Sequence, residues 1–235
     1  MTAPFAELRQ LVAKANHDID ASGLVVQAFG NASQAERESG VFAIKPSGIP
    51  CRDVTPDDVV VVSLESGEVV AGENRPSSDT PTHRAIYEGL DSVAGIAHTH
   101  SRFATAWAQA REPIPCLGTT HADHFRGQVP ITRALSAEEI HGDYEVNTGK
   151  VIVEMYGPDG FDPVETPGAL VASHGPFVWG ETAHSAVEMA AAVELIAELA
   201  SRTLTIRPDG TEIAAELAHR HFTRKHGPLA YYGQP

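Results

Sequence analysis

Four consecutive valines, Val59 to Val62, constrain this chain more than any other stretch. β-Branched side chains are stiff about χ1 and pack well on a pleated surface, so Asp58-Val-Val-Val-Val-Ser63 reads as a strand. Similar runs precede it. Leu24–Gly30 reads as a strand followed by a turn at Asn31-Ala-Ser33, and Val41–Lys45 as a strand ended by Pro46-Ser-Gly48. Glu65-Ser-Gly67 makes a hairpin turn into Glu68–Ala71. Later in the chain Ser92–His98, Val151–Met155 and Ala169–Ala172 have the same short apolar form, with Phe177-Val-Trp179 a further candidate.

Between these runs lie segments of helical spacing. Phe5, Leu8, Leu11, Val12, Ala15 and Ile19 define a helix over Phe5–Ala21, stopped by Gly23. Thr80 reads as the cap of a helix whose first residue is Pro81 and which runs to about Leu90. Arg102–Ala110, Ala137–Thr148 and an alanine-rich Ser185–Ser201, with Ser185 and Glu188 as a capping box, follow. Pro208-Asp-Gly210 turns into a last helix over about Thr211–His226. Strands interspersed with helices predict an α/β layered fold. The 235 residues show no repeat, low-complexity tract or composition break, so one domain over 1–235 is expected. The strand order stays open.

Charge narrows the partners. Seventeen basic against 31 acidic side chains give a formal charge of -14, and no basic cluster exceeds Arg224-Lys225. That argues against nucleic acid and anionic membranes. The first ten residues lack the basic-then-apolar form of a signal peptide, and no run approaches the roughly 18 apolar residues of a membrane helix. Cys51 and Cys116 lie far apart and outside any C-x-x-C pattern, which predicts reduced thiols and a cytoplasmic protein. A small anionic substrate is compatible with all of this, because backbone amides bind phosphate whatever the net charge.

Chemistry enters at Gly95-Ile-Ala-His-Thr-His-Ser101. Residues two apart on a strand point to the same side, so His98 and His100 project together. His174, in Ser173-His-Gly-Pro176 at the end of another apolar run, offers a third imidazole. Three nitrogen ligands and an open position describe a catalytic zinc site. H-x-H alone is common, and such residues also serve for packing or hydrogen bonding. His17, His141, His184 and His219 lie on predicted helices and read as surface or packing residues.

Three turns share a composition: Gly30-Asn31-Ala-Ser33, Lys45-Pro-Ser47-Gly48 and Pro76-Ser77-Ser78-Asp79. Each offers small side chains, hydroxyls or free amides, the third stands before a helix start, and Lys45 adds a charge. If they converge, they cradle a phosphate monoester; each is also an ordinary turn. Asp79 either helps cap the helix or faces the metal.

Seen together, "GNAS", "IKPSG", "PSSDTPTHR", "HTHSR", "GTTHAD", "SHGPFVWG" and "RKHGPLAYYGQ" resemble the class II aldolase/epimerase (adducin-like) family. The resemblance spans almost the whole chain and is weakest near Tyr156–Pro167 and Ser201–Glu212. Within the family the set is most similar to the pentose-phosphate 4-epimerases. The resemblance implies an α/β fold with a central, mainly antiparallel sheet flanked by helices, and a homotetramer with active sites between neighbouring subunits. It implies one zinc per subunit, with cobalt or manganese as substitutes, held by His98, His100 and His174 with Asp79 as a further ligand or close neighbour. Gly30, Asn31, Lys45, Ser47, Gly48, Ser77 and Ser78 would hold the substrate phosphate. Asp123 and Tyr232 match the acid/base pair that acts on an adjacent subunit's site, and His221 and Arg224 match residues near that site. The activity implied is interconversion of L-ribulose 5-phosphate and D-xylulose 5-phosphate by cleaving and re-forming the C3–C4 bond. The competing readings are a sugar-phosphate aldolase, a zinc hydrolase, for which no H-E-x-x-H pattern is present, and a non-catalytic interaction module.

Overall fold

The structure is a computed structural model and describes residues 5–227 and 230–231. Among the described residues seven strands form one sheet: β1 (Asn31–Glu36), β2 (Val41–Ile44), β3 (Val60–Ser63), β4 (Val69–Ala71), β5 (Gly95–His98), β6 (Gly168–Leu170) and β7 (Pro176–Gly180). Their order is β4-β3-β2-β1-β5-β7-β6, and every neighbouring pair is antiparallel. The helices are α1 (Ala6–Ala21), α2 (Thr80–Gly89), α3 (Arg102–Ala110), α4 (Thr119–Ala122), α5 (Ala137–His141), α6 (Tyr144–Val153), α7 (Ala183–Ile206) and α8 (Ala215–Lys225). The fold is mixed α/β with an antiparallel sheet, as expected.

The valine run shows how the layers form. Val59 and Val61 pack with Leu8 and Val12 of α1, while Val60 and Val62 face the other way, among Ile86 and Tyr87 of α2 and Ile152 of α6. Alternation along one strand therefore feeds two cores. On the α1 side a third cluster joins Ala32, Ala97 and Val178 of the sheet to α3 and α7. No helix among the described residues is long and apolar enough to cross a membrane.

Several local expectations need correction. Leu24–Gly30 is not a strand: Gln27 and Gly30 take positive φ, and Val26 and Phe29 point to solvent. The segment expected to turn, from Asn31, is instead β1, at the centre of the sheet. Its composition, Asn-Ala-Ser-Gln-Ala-Glu, has little β preference, and its pairing with β2 and β5 decides the outcome. Val151–Met155 is not a strand either, since α6 runs to Val153 with Val151 and Ile152 buried against the core. Gly149 lets α6 approach α2, where a Cβ would come within 2.6 Å of the Ala85 Cβ. The expected helix Ala137–Thr148 breaks at Gly142-Asp143 into α5 and α6. Helix α2 begins at Thr80 with Asp79 as N-cap residue, one position earlier than expected. Helix α7 is capped by a Thr182–Ser185 box, not by Ser185 and Glu188, and α8 starts only at Ala215.

Candidate metal centre and active site

The register of the central strands builds the site. Asn31 of β1 pairs with His98 of β5, and His98 pairs with Phe177 of β7. The His98 ring stacks on Phe177 with centroids 4.0 Å apart and planes 10° apart. Its Nδ1–H donates to the Pro176 carbonyl at 2.9 Å, which leaves Nε2 as a lone pair. His100 lies just past the end of β5, and its Nε2 sits 3.2 Å from the His98 Nε2. His174 stands in the turn between β6 and β7. The backbone N–H of Ser173 donates to Ala108 at the end of α3, and Gly175 passes so close to Thr99 that a Cβ would lie 2.8 Å from its carbonyl oxygen. The three rings have centroids 4.9, 4.9 and 5.0 Å apart.

Helix α3 holds both ends of this arrangement. Its cap residue Ser101 makes no side-chain cap bond. Glu194 of α7 does that work, accepting from the Phe103 N–H at 2.9 Å and the Ala104 N–H at 2.9 Å. No sequence pattern links Glu194 to a helix some 90 residues earlier.

The ligand atoms of His98, His100 and His174 all lie within 4.8 Å of one another. Burial lowers the pKa of all three, that of His98 to about 3, although the Asp79 charge opposes the shift. Neutral imidazoles facing one point, beside a carboxylate, suit a borderline divalent cation such as zinc. Asp79 is outside the 4.8 Å group but close enough to feel it. Burial would raise its pKa, yet the His98 and His83 imidazoles and the Asn31 amide outweigh burial and hold the carboxyl below its usual range. The Asn31 Nδ2 donates to Asp79 Oδ2 at 2.7 Å.

The three expected phosphate segments do converge. The Ser77 N–H donates to the Lys45 carbonyl at 3.0 Å and the Ser47 N–H to the Arg75 carbonyl at 2.9 Å, zipping the second segment to the third. Asn31 ties the first to the third, with Nδ2 3.2 Å from Ser77 Oγ. Gly30 has φ +88°, and a Cβ there would meet the His98 carbonyl oxygen at 2.8 Å. Gly30, Asn31, Lys45, Ser47, Gly48, Ser77 and Ser78 line one cavity of about 320 Å³, which Asp79, His100 and His174 also line.

Sequence reasoning missed four of its walls: Ala28, Phe29, Tyr144 and Glu145. The Tyr144 hydroxyl is 3.4 Å from His174 Nδ1. A buried relay behind the site was also missed. Ser33 Oγ lies 2.7 Å from His83 Nδ1 and 2.7 Å from Tyr87 Oη, with His83 one helical turn beyond Asp79.

Asp123, His221 and Arg224 come together, and none of them lines this chain's cavity. Arg224 grips Asp123 with two bonds of 2.9 and 2.6 Å, and His221 Nδ1 adds a third at 3.0 Å. Burial pushes the Asp123 pKa up, and these partners, with Lys225, bring it below the ordinary value. His221 and Arg224 thus contact Asp123, and neither is among the residues that line the cavity of the phosphate segments. Tyr232 lies outside the described residues.

Residues 10–201 match the family model of the class II aldolase and adducin N-terminal domain. The chain belongs to that family. Solved structures of similar fold include an L-fuculose 1-phosphate aldolase, 24% identical over 95% of this chain and 97% of the other, with a TM-score of 0.78. YgbL from Klebsiella pneumoniae is 23% identical over 91% and 97%, with a TM-score of 0.73. L-fuculose-1-phosphate aldolase from Thermus thermophilus is 22% identical over 87% and 99%, with a TM-score of 0.65. Family membership fits an enzyme of sugar phosphates with a metal centre, and the histidine trio supplies the ligands for one.

Proposed function

We propose that this protein is an L-ribulose-5-phosphate 4-epimerase, interconverting L-ribulose 5-phosphate and D-xylulose 5-phosphate. The observation that carries the reading is that two of the three convergent imidazoles, His100 and His174, and the three phosphate-type segments face one cavity. The substrate's ketone is at C2 and the inverted carbon is C4. Enolisation reaches only the carbons beside the carbonyl, so inversion needs reversible cleavage of the C3–C4 bond. A divalent cation such as zinc would supply Lewis-acid chemistry at this site. His98, His100 and His174 are the residues that would hold it, with Asp79 beside them.

The chain's own groups do the rest. Lys45, Asn31, the Ser47 and Ser77 hydroxyls and the amides around Gly30, Gly48 and Ser78 bind the phosphate. They keep the aldehyde half, glycolaldehyde phosphate, in place while it turns over and presents its other face. Two proton handlers on opposite sides of the cleaved bond suit this symmetry. We assign those roles to Asp123 and Tyr232 of a neighbouring copy in a homotetramer. That Asp123, His221 and Arg224 do not line their own chain's cavity supports that assignment. Arg224 and His221 orient the carboxylate and keep it ionised.

The fold similarity to L-fuculose 1-phosphate aldolases favours one second reading, a sugar-phosphate aldolase that releases its fragments. Purified protein incubated with L-ribulose 5-phosphate, with and without a chelator, separates the two. Chelator-sensitive appearance of D-xylulose 5-phosphate is expected. Free glycolaldehyde phosphate and dihydroxyacetone as the main products would make the protein an aldolase, and no conversion would refute both.

A further inference from the structure

Of the four lysines in the sequence, Lys45 alone is buried. Among the described residues its Nζ hydrogen-bonds only to backbone carbonyls at long range, Pro46 at 3.2 Å and Ala28 at 3.4 Å. Lys14, by contrast, lies 2.6 Å from Asp18, and Lys225 lies 3.8 Å from Asp123. Lys45 also lines the cavity formed by the phosphate-type segments. An amine with such weak partners, in a pocket shaped for a phosphate ester, stands next to whatever carbon skeleton that phosphate carries.

We propose that Lys45 is a covalent capture site for short phosphorylated aldehydes, which it binds as an imine at Nζ. The inference rests on the phosphate cradle of the reading above, and it adds a reaction that reading does not contain. The amine lone pair adds to the aldehyde carbon, the carbonyl oxygen departs as water, and the imine nitrogen takes up a proton. The resulting iminium carries one positive charge, as the lysine ammonium does, so the attraction to the phosphate is retained. Burial favours the free amine and lowers the Lys45 pKa, against the opposing pull of Cys51 and Asp79. The aldehyde half of the proposed cleavage is itself a ligand of this class, so capture becomes a reversible dead end when that half is present without its partner.

The test uses glycolaldehyde phosphate as the probe, cyanoborohydride as the hydride donor that fixes the imine, and peptide mass mapping over the four lysines. Lys45 should be labelled at least about tenfold faster than the others, because the cradle holds the phosphorylated aldehyde beside its amine. Excess inorganic phosphate should suppress the labelling, and glycolaldehyde without phosphate should show no preference for Lys45. Lys45→Arg, which keeps the charge but forms no stable imine, should lose the fast phase. Equal labelling of all four lysines overturns the proposal. So does an unlabelled Lys45 in wild-type protein that binds phosphate by calorimetry, an outcome that leaves the cradle standing. An unlabelled Lys45 together with no phosphate binding removes both the capture site and the cradle.

Discussion

Replacing His83 by asparagine isolates the buried relay behind the active site. His83 is fully buried, its Nδ1 is 2.7 Å from Ser33 Oγ, and Ser33 in turn meets the Tyr87 hydroxyl at 2.7 Å. Burial lowers its pKa from 6.5 to about 4, although the Asp79 charge pulls the other way. Because the folded value lies below the unfolded one, the unfolded chain takes up a proton first as pH falls. Stability from the neutral imidazole is therefore complete above pH 6.5 and is lost as pH drops toward about 4. At 1.36 kcal/mol per unit, the shift corresponds to about 3 kcal/mol. Asparagine keeps a polar atom toward Ser33 but has no titration. Near pH 7 the variant should be less stable by about 1–3 kcal/mol. That gap should shrink by about 3 kcal/mol on going to pH 4, where the wild-type protein alone bears the cost. Urea unfolding of metal-stripped protein across this range measures it, since the other histidines titrate in both proteins and cancel in the difference. Parallel stability curves for the two proteins would refute the reasoning.

Two further substitutions probe the site's geometry. Gly30→Ala forces a side chain into φ +88° and against the His98 carbonyl, and should cost about 2–4 kcal/mol and reduce metal retention; unchanged urea midpoint and metal content would contradict the close approach. Arg224→Met removes two hydrogen bonds from Asp123 and should raise its pKa, moving the acid limb of the pH–rate profile upward. A limb that stays put would remove Asp123 from the acid/base role.

The parts of the site that were legible in the sequence are those whose chemistry is written in consecutive residues. His98 and His100 stand two apart after an apolar run, and the structure brings their Nε2 atoms to 3.2 Å. The three turn-like segments were legible as small, polar and hydroxyl-rich, but nothing local says that Asn31 bonds Asp79 or that Ser77 bonds Lys45 across the fold. Those contacts join the start of β1 and the end of β2 to the segment before α2, and they form only once the folded sheet has brought these segments together. Strand β1 shows the same limit from the other side. Its residues carry no strand signature, and its place between β2 and β5 is imposed by tertiary pairing. Val151–Met155 failed for the reason common to short apolar runs, which fit a buried helix as well as a strand. Glu194 and Tyr144 left no signal, because one caps a helix from a remote element and the other becomes a wall only once α6 lies beside the His174 turn.

The account stands on a divalent cation held by His98, His100 and His174. Metal analysis of purified protein, reconstituted with zinc and dialysed, measures this directly in the wild type and in His98→Ala, with circular dichroism confirming that both are folded. The account predicts one tightly bound ion per wild-type chain and almost none in the variant. Equal metal content in the two proteins, or none in either, would contradict it.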